Sequence, residues 1–217
     1  VYASYVIRDT YSSSTDFFTH LLTETDVTDA REFPPSMRRL QAYSTIVLNL
    51  RHDRTIIEYA PQQYVHRRRL EQAGETMDVI EEYCRAVSRA VEPGEFFTIQ
   101  TLRGNGFSHP LDDLGFDDWF YASILEEDRE RFSVQRVSNT KLLYTGTRKL
   151  VYADFLQWFI RREGKLEVYE LLDRLDREYG IQLERAKLFE LIKDTELYYD
   201  EIMETVYDCY DTYFEEA

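Results

Sequence analysis

The last third of the chain repeats apolar residues at the spacing of an α-helix, and this limits its fold more than any other feature. Val151, Phe155 and Phe159 share one face of a first predicted helix. A second helix is predicted up to Gly180, because glycine commonly ends helices in the left-handed conformation. Arg185 to about Lys193 continues the helical spacing. The segment therefore predicts three consecutive helices.

Two shorter elements complete this last unit. Ile181–Leu183 alternates apolar and polar residues and predicts a short strand, and residues 196–207, rich in tyrosine and β-branched residues, predict a terminal hairpin. A helix over Glu201–Glu204 is the alternative for part of that stretch. Three helices, a short strand and a terminal hairpin are the elements of a winged-helix module.

The middle of the chain repeats this order. A helical apolar spacing ends before Pro93-Gly94, and shorter helices are predicted over Thr98–Asn105 and Leu114–Glu127. Residues 131–144 alternate apolar and polar residues around Ser138-Asn139-Thr140, which predicts a β-hairpin. A second module of the same kind is therefore predicted.

The first third fits the pattern less closely but also predicts a hairpin. Thr45–Leu50 and Thr55–Tyr59 are rich in β-branched residues and flank a polar turn at Arg51–Arg54. Each third of the chain thus ends on a predicted hairpin, although the repetition is one of pattern rather than of residue identity.

The predicted elements before this first hairpin are mostly helical. Asp16–Leu22 predicts one helix, and Met37–Tyr43 predicts a short third helix for which Ser36 is a suitable N-cap. Residues 23–33 predict an irregular acidic loop.

These repeats predict a mainly helical α+β fold of tandem winged-helix-like modules, each with three helices and a β-hairpin. We expect a partial or degenerate N-terminal module at residues 1–66, a middle module at 67–147 and a C-terminal module at 148–217. The 217 residues suffice for two or three small domains.

Two segments carry a resemblance to known proteins. Phe97–Phe107 resembles the second-helix segment of winged-helix modules of the HARE-HTH type, a winged helix-turn-helix family. Tyr179–Asp200 is similar to a segment of uncharacterised bacterial proteins. The resemblance implies DNA binding or transcription regulation through contacts with the transcription machinery. An acidic subunit of bacterial RNA polymerase is an example of the family, and no catalytic residue is implied.

The distribution of charge indicates which module is best suited to nucleic acid. The net charge is −15, which opposes phosphate binding by the chain as a whole. Up to residue 62 there are 6 basic and 8 acidic residues, whereas residues 148–217 contain 10 basic and 18 acidic ones. Contact with DNA is therefore expected at the first module, through seven arginines: Arg38, Arg39, Arg51, Arg54, Arg67, Arg68 and Arg69.

These arginines fall at three predicted places. Arg38 and Arg39 are assigned to the third helix of the first module, which is the helix that enters the major groove in a helix-turn-helix protein. Arg51 and Arg54 are assigned to the tip of its wing, and Arg67–Arg69 to the linker after it. In the last module the basic residues alternate with Glu184, Glu190 and Asp194, which suits a basic protein partner better than a phosphate backbone.

The sequence predicts no catalytic site, metal site or cofactor. Acidic pairs such as Asp117-Asp118 suit the first turn of a helix, and Gly104-Asn105-Gly106 lacks the residues of a phosphate loop. Neither Cys84 nor Cys209 has a local histidine partner. The two distant cysteines, without a signal-peptide pattern or a long apolar run, favour a cytoplasmic protein with no membrane partner.

Three functions remain open. The first is a non-catalytic DNA-binding or transcription-associated accessory protein. The second is an acidic adaptor for protein interaction, and the third is a regulatory segment of a larger multidomain protein. The C-terminal aromatic residues fit core packing or a protein interface better than stacking on single-stranded nucleic acid, because few basic residues accompany them.

Overall fold

The computed structural model describes residues 10–216. Within that range the chain is an α+β protein in which three small antiparallel sheets alternate with helices. Its helices and strands are, in chain order, α1 (Ser14–Thr23), β1 (Val27–Asp29), α2 (Pro35–Arg38), α3 (Gln41–His52), β2 (Ile56–Ala60), β3 (Gln63–His66), α4 (Arg67–Gln72), α5 (Met77–Ala90), β4 (Phe96–Phe97), α6 (Ile99–Gly104), α7 (Asp118–Glu126), β5 (Phe132–Val137), β6 (Thr140–Thr145), α8 (Tyr152–Glu163), β7 (Lys165–Glu167), α9 (Val168–Tyr179), α10 (Arg185–Ile192), β8 (Tyr198–Asp200), β9 (Thr205–Tyr207) and α11 (Tyr210–Glu216).

One order of elements occurs three times. A helix is followed by a strand, two helices and two further strands, as in α1, β1, α2, α3, β2 and β3. In each sheet the last strand lies in the centre and pairs antiparallel with both others, which gives the orders β1-β3-β2, β4-β6-β5 and β7-β9-β8. The repetition predicted from the sequence thus extends to the topology of the sheets.

The described chain forms two compact units whose segments interleave. Residues 10–86 and 109–128 make the first unit, and residues 87–108 and 129–216 make the second. Each sheet falls within one of the three predicted modules, at 1–66, 67–147 and 148–217. The boundaries of those modules stay predictions.

The core of the first unit lies between α1, α3 and the first sheet. Phe18 and Leu22 of α1 are fully buried beside Tyr43 and Ile46 of α3. The rings of Phe18 and Tyr43 meet edge to face at 5.7 Å between centroids, a favoured aromatic geometry. Burial of this face orients the opposite face of α3 toward solvent.

The second unit has a larger apolar core built on α8, α9 and α10. Phe155, Phe159, Leu175 and Leu188 are completely buried in it. Gly180 ends α9 in the left-handed conformation with φ of 66°, and its amide donates to the carbonyl of the preceding helix turn. The three predicted helices of this region are confirmed.

Most of the other predicted elements are confirmed as well. Helix α1 lies where a helix was predicted, α6 begins after Thr98, and the hairpin β5–β6 turns at Ser138. The terminal hairpin β8–β9 is also present, and the alternative helix over Glu201–Glu204 is wrong because these residues form its turn.

The hairpin predicted over Thr45–Tyr59 is wrong. Thr45–Leu50 belongs to helix α3, and the observed hairpin pairs β2 with β3 around Pro61-Gln62. The β-branched residues of α3 favour a strand locally, but burial of Tyr43 and Ile46 against α1 stabilises the helix. Tertiary packing therefore overrides local preference here.

Four smaller predictions are also corrected. Residues 23–33 are not an irregular loop, because β1 pairs with β3 and a 3-10 turn follows it. Ser36 lies inside α2, whose N-cap is Pro34. Helix α7 begins only at Asp118, because Gly115 takes the left-handed conformation with φ of 70°. The short strand of the last module is β7, and Ile181–Leu183 forms no strand.

Candidate nucleic-acid interface

Helix α2, which is four residues long, precedes α3 in the first unit, and Arg39 and Leu40 separate the two helices. Arg38 is the last residue of α2, and Arg39 is its C-cap, so neither lies in the third helix as predicted. The guanidinium of Arg38 donates to the Gln62 side chain at 2.5 Å and to the Phe33 carbonyl at 3.2 Å. Arg39 is exposed.

Arg51 and Arg54 do not lie at the tip of a wing. Arg51 occupies the last turn of α3, where its Nη2 lies 2.5 Å from Glu126 and 3.0 Å from Glu127. Its side chain is only 17% exposed. Burial lowers the pKa of Arg51, but the two carboxylates outweigh that effect, so its pKa lies above the ordinary value. This arginine joins two segments of the first unit.

Arg54 has a similar structural position. It follows α3 with a positive φ of 52°, and its guanidinium lies 3.5 Å from Glu81 and 3.6 Å from the Cys84 sulfur. The side chain is 14% exposed. Arg51 and Arg54 therefore hold the unit together and present little charge to a ligand.

Arg67–Arg69 form the first turn of helix α4 rather than a linker. Arg67 pairs with Glu71 at 3.2 Å. Arg68 pairs with Asp26 at 2.5 Å and also donates to the backbone carbonyls of Thr23 and Glu24. Of the seven predicted arginines, Arg39 and Arg69 are the two that are exposed and form no ion pair with a residue in 10–216.

The solvent face of α3 is the feature that distinguishes this region. Helix α3 contains no acidic residue, although the chain has 41 of them. Its exposed positions follow one helical face and carry uncharged polar groups, one leucine and a histidine: Gln41, Ser44, Thr45, Leu48, Asn49 and His52. These side chains offer hydrogen-bond donors and acceptors without a negative charge.

The corresponding helices of the other two repeats differ. In α7, every residue from Trp119 to Leu125 is buried, so the helix has almost no face for a ligand. In α10, Lys187 pairs with Glu190 at 2.8 Å, and Arg185 pairs with Glu204 at 2.5 Å. The positive charges of α10 are thus compensated within the second unit.

The sequence did hold a signal for the α3 face. Tyr43, Ile46, Val47 and Leu50 lie at helical spacing, and no acid occurs between Glu32 and Asp53. The cluster of β-branched residues at Thr45–Val47 obscured that periodicity. The seven arginines predicted to contact DNA do not belong to this exposed face of α3.

One group of side chains in the first unit has the composition of a metal site. Ligand atoms of Glu81, Cys84 and Asp128 lie within 4.8 Å of one another. Arg54 already contacts two of the three, and its positive charge opposes a metal cation at that place. The group is therefore better explained as the partner of Arg54.

His109, Asp112 and Asp118 have structural positions in the first turns of helical segments. Asp112 accepts from the backbone amide of His109, and the His109 ring accepts from the amide of Leu111, which completes a capping box. The other ring nitrogen of His109 contacts Glu82. Asp118 lies in the first turn of α7, where a negative charge stabilises the helix dipole.

Comparison with known proteins gives no relative from which a function could be transferred. The chain matches no family model, no curated protein and no solved structure. Among residues 10–216, no helix is both long and apolar enough to cross a membrane.

Proposed function

We propose that this chain is a non-catalytic, duplex-DNA-binding protein built from tandem winged-helix modules, and that helix α3 of the first module reads the DNA. The observation that carries the proposal is the exposed, acid-free face of α3 in a chain of net charge −15. Its position supports the proposal, because α3 follows the short helix α2 and precedes a hairpin, which is the order of a helix-turn-helix with a wing.

The chemistry of the exposed residues suits base edges in the major groove. Gln41 and Asn49 carry amides, which pair with adenine through two hydrogen bonds, and Ser44 and Thr45 carry hydroxyls that serve several bases. Leu48 supplies an apolar contact for a thymine methyl group.

Phosphate contacts would come from the ends of the same elements. Arg39 is exposed immediately before α3, and no side chain caps the first turn of that helix. Backbone amides at an uncapped helix N-terminus bind phosphate oxygens readily. Arg69 of α4 is a second exposed cation of the first unit. With so few cations, we expect modest affinity and a shallow salt dependence.

A duplex titration of the full chain tests this proposal. Fluorescence anisotropy with a pool of mixed-sequence duplexes, at about 50 mM and about 200 mM salt, should show binding that weakens with salt. Thr45→Glu places a negative charge on the α3 face and should weaken binding by about tenfold or more.

The matched control is Ala186→Glu, which adds the same charge to an exposed position of α10. We expect it to change duplex affinity by less than about twofold, because the added charge does not lie on the α3 face and salt screens its effect. The proposal is overturned if the unmodified chain binds no duplex at about 50 mM salt, or if both substitutions weaken binding equally.

An adaptor for protein interaction is the second candidate, and one observation favours it. The turn of the last hairpin exposes Ile202 and Met203, which are 92% and 64% accessible to solvent, between Glu201 and Glu204. An apolar tip flanked by acids suits a basic protein surface with a small apolar pocket. Ile202→Ser would then abolish capture of that partner and leave duplex binding unchanged.

A further inference from the structure

A group of arginines in the second unit lies around two adjoining cavities. One cavity has a volume of about 430 Å³ and the other about 480 Å³, and both are lined by Trp158 and Arg162 of α8. Cavities of this size accommodate small organic ligands. Residues 148–217, which contain α8, carry 10 basic and 18 acidic residues.

The smaller cavity brings three guanidinium groups together. Arg148, Arg161 and Arg162 line it, and Asp154 is the carboxylate among its lining residues. Arg148 is exposed and forms no ion pair with a residue in 10–216. Arg161 pairs with Glu196, and Arg162 with Glu163, through exposed contacts that water or a ligand can replace. Among the charged residues that line this cavity, three are arginines and one is an aspartate.

Aromatic rings hold two of these guanidinium groups in place. The Cζ atom of Arg148 lies 4.3 Å from the ring centroid of Tyr144, and that of Arg162 lies 4.8 Å from the ring centroid of Trp158. Stacking of this kind fixes the plane of a guanidinium and leaves its N–H groups at the edge available. Pre-oriented arginine edges match the geometry of phosphate oxygens.

The larger cavity has the lining needed for an organic group. Phe97, Leu102 and Phe107 supply apolar surface, Thr101 and Asn105 supply polar groups, and the carboxylates of Glu92 and Glu95 also line the cavity. A phosphate held in the smaller cavity would leave room for its organic part here, because Trp158 and Arg162 border both spaces. Inorganic phosphate would leave this second space unused.

From these features we infer that the second unit contains a binding site for a small organic phosphate of the size of a nucleoside monophosphate. Arg148, Arg161 and Arg162 bind the phosphate group, and the organic part enters the larger cavity. The site is independent of the DNA-reading helix, so either proposal can fail without the other.

Isothermal titration calorimetry of the full chain tests this site with four probes. Adenosine 5′-monophosphate and ribose 5-phosphate should bind, inorganic phosphate should bind more weakly, and adenosine should not bind. Arg148→Ala should weaken adenosine 5′-monophosphate by about tenfold, because a charge-assisted hydrogen bond is lost. The exposed neighbour Lys149 provides the matched control, and Lys149→Ala should change the affinity by less than about twofold.

Several results would overturn the inference. They are the absence of heat with every phosphate, equal losses in Arg148→Ala and Lys149→Ala, or binding of a phosphotyrosine peptide but of no small phosphate. A tight signal for inorganic phosphate alone would reduce the site to an anion site and contradict the role of the larger cavity. If Arg148→Ala instead weakened duplex DNA, the arginines would belong to the nucleic-acid surface.

Discussion

Helices α3 and α10 hold the same place in two repeats of one topology, yet their surfaces differ in kind. The exposed face of α3 is polar and carries no acid, whereas α10 pairs Lys187 with Glu190 and Arg185 with Glu204. Equivalent positions in the fold therefore do not imply equivalent function, because the exposed side chains of each helix determine what it can bind.

The difference extends to the field around each helix. Arg185 also donates to the hydroxyl of Tyr169 at 2.9 Å and stacks on Phe189, so its charge is engaged on several sides. These contacts raise the pKa of Arg185, chiefly through the hydrogen bond to Glu204. Helix α3 needs no such compensation on its solvent face, and a negatively charged ligand can approach it without displacing an ion pair.

Truncation of a buried side chain that packs beneath α3 or α10 gives the largest expected effect on the free energy of unfolding. Phe18→Ala should lower the free energy of unfolding by about 3–5 kcal/mol, because a fully buried ring is lost beneath α3. Leu188→Ala should cost about 2–5 kcal/mol beneath α10. Urea denaturation measures both. Only Phe18→Ala should reduce the affinity for duplex DNA. If Leu188→Ala reduced that affinity equally, the result would contradict the proposal that α3 binds DNA.

A substitution of Arg51 tests whether this arginine stabilises the fold or binds DNA. Arg51→Met leaves Glu126 and Glu127 without this partner, and we expect a loss between the ~1 kcal/mol of an exposed pair and the about 3–5 kcal/mol of a buried one. Thermal and urea unfolding measure the loss. Under conditions where the variant is folded, its duplex affinity should equal that of the parent chain. A weaker duplex affinity of the folded variant would instead indicate that Arg51 contacts DNA.

Arg39 provides the opposite case. Arg39→Ala should leave stability within about 0.5 kcal/mol, because the side chain is exposed. The slope of log affinity against log salt should fall by about one, since one phosphate contact is lost. Lys193→Ala, an exposed cation at the end of α10, is the control and should leave the slope unchanged. Equal changes in both variants would show that net charge alone governs binding.

The smallest effect concerns pH and again distinguishes the two units. All four histidines lie in the first unit, and His66 caps α4 by accepting from the amide of Arg68 at 3.1 Å. Burial, and then the neighbouring Arg68 and Arg67, lower the pKa of His66 below its ordinary value of 6.5. Below pH 6.5 the unfolded chain therefore takes up the proton first, and the free energy of unfolding falls as the pH falls.

His66→Asn keeps a capping oxygen but cannot titrate, so it should flatten this dependence while preserving stability near pH 7.5. Urea unfolding of the first unit at about pH 5.5 and about pH 7.5 measures the change. An unaltered pH dependence in the variant would assign the effect to other groups.

The second unit was the more predictable from sequence, for a physical reason. Leu175, Tyr179 and Gly180 give the period and the end of α9, and burial of Leu175 and Tyr179 in the core agrees with that local pattern. In α3 the two signals disagree, because Thr45–Val47 favours a strand locally while the packing of Ile46 against α1 requires a helix.

The structural places predicted for the seven arginines agree less well with the structure than the predicted fold does, because the partners of these arginines come from distant segments. The residues around Arg51 in the sequence do not indicate that it pairs with Glu126. Those around Arg68 do not indicate that it pairs with Asp26. The short strands β1 and β7 were missed for the same reason, since each has three residues and forms only against a strand much later in the chain. Local spacing alone carries no information about such pairs.

The interleaved path of the two units has a consequence for synthesis on the ribosome. The first unit includes residues 109–128, so it cannot be completed until that segment has left the exit tunnel. By then β4 of the second unit has already emerged, whereas its partner β6 lies later in the chain and has not yet emerged. Nascent chains of this protein must therefore hold an unpaired strand in solution, and a chaperone that shields Phe96–Phe97 during this interval would raise the yield of folded protein.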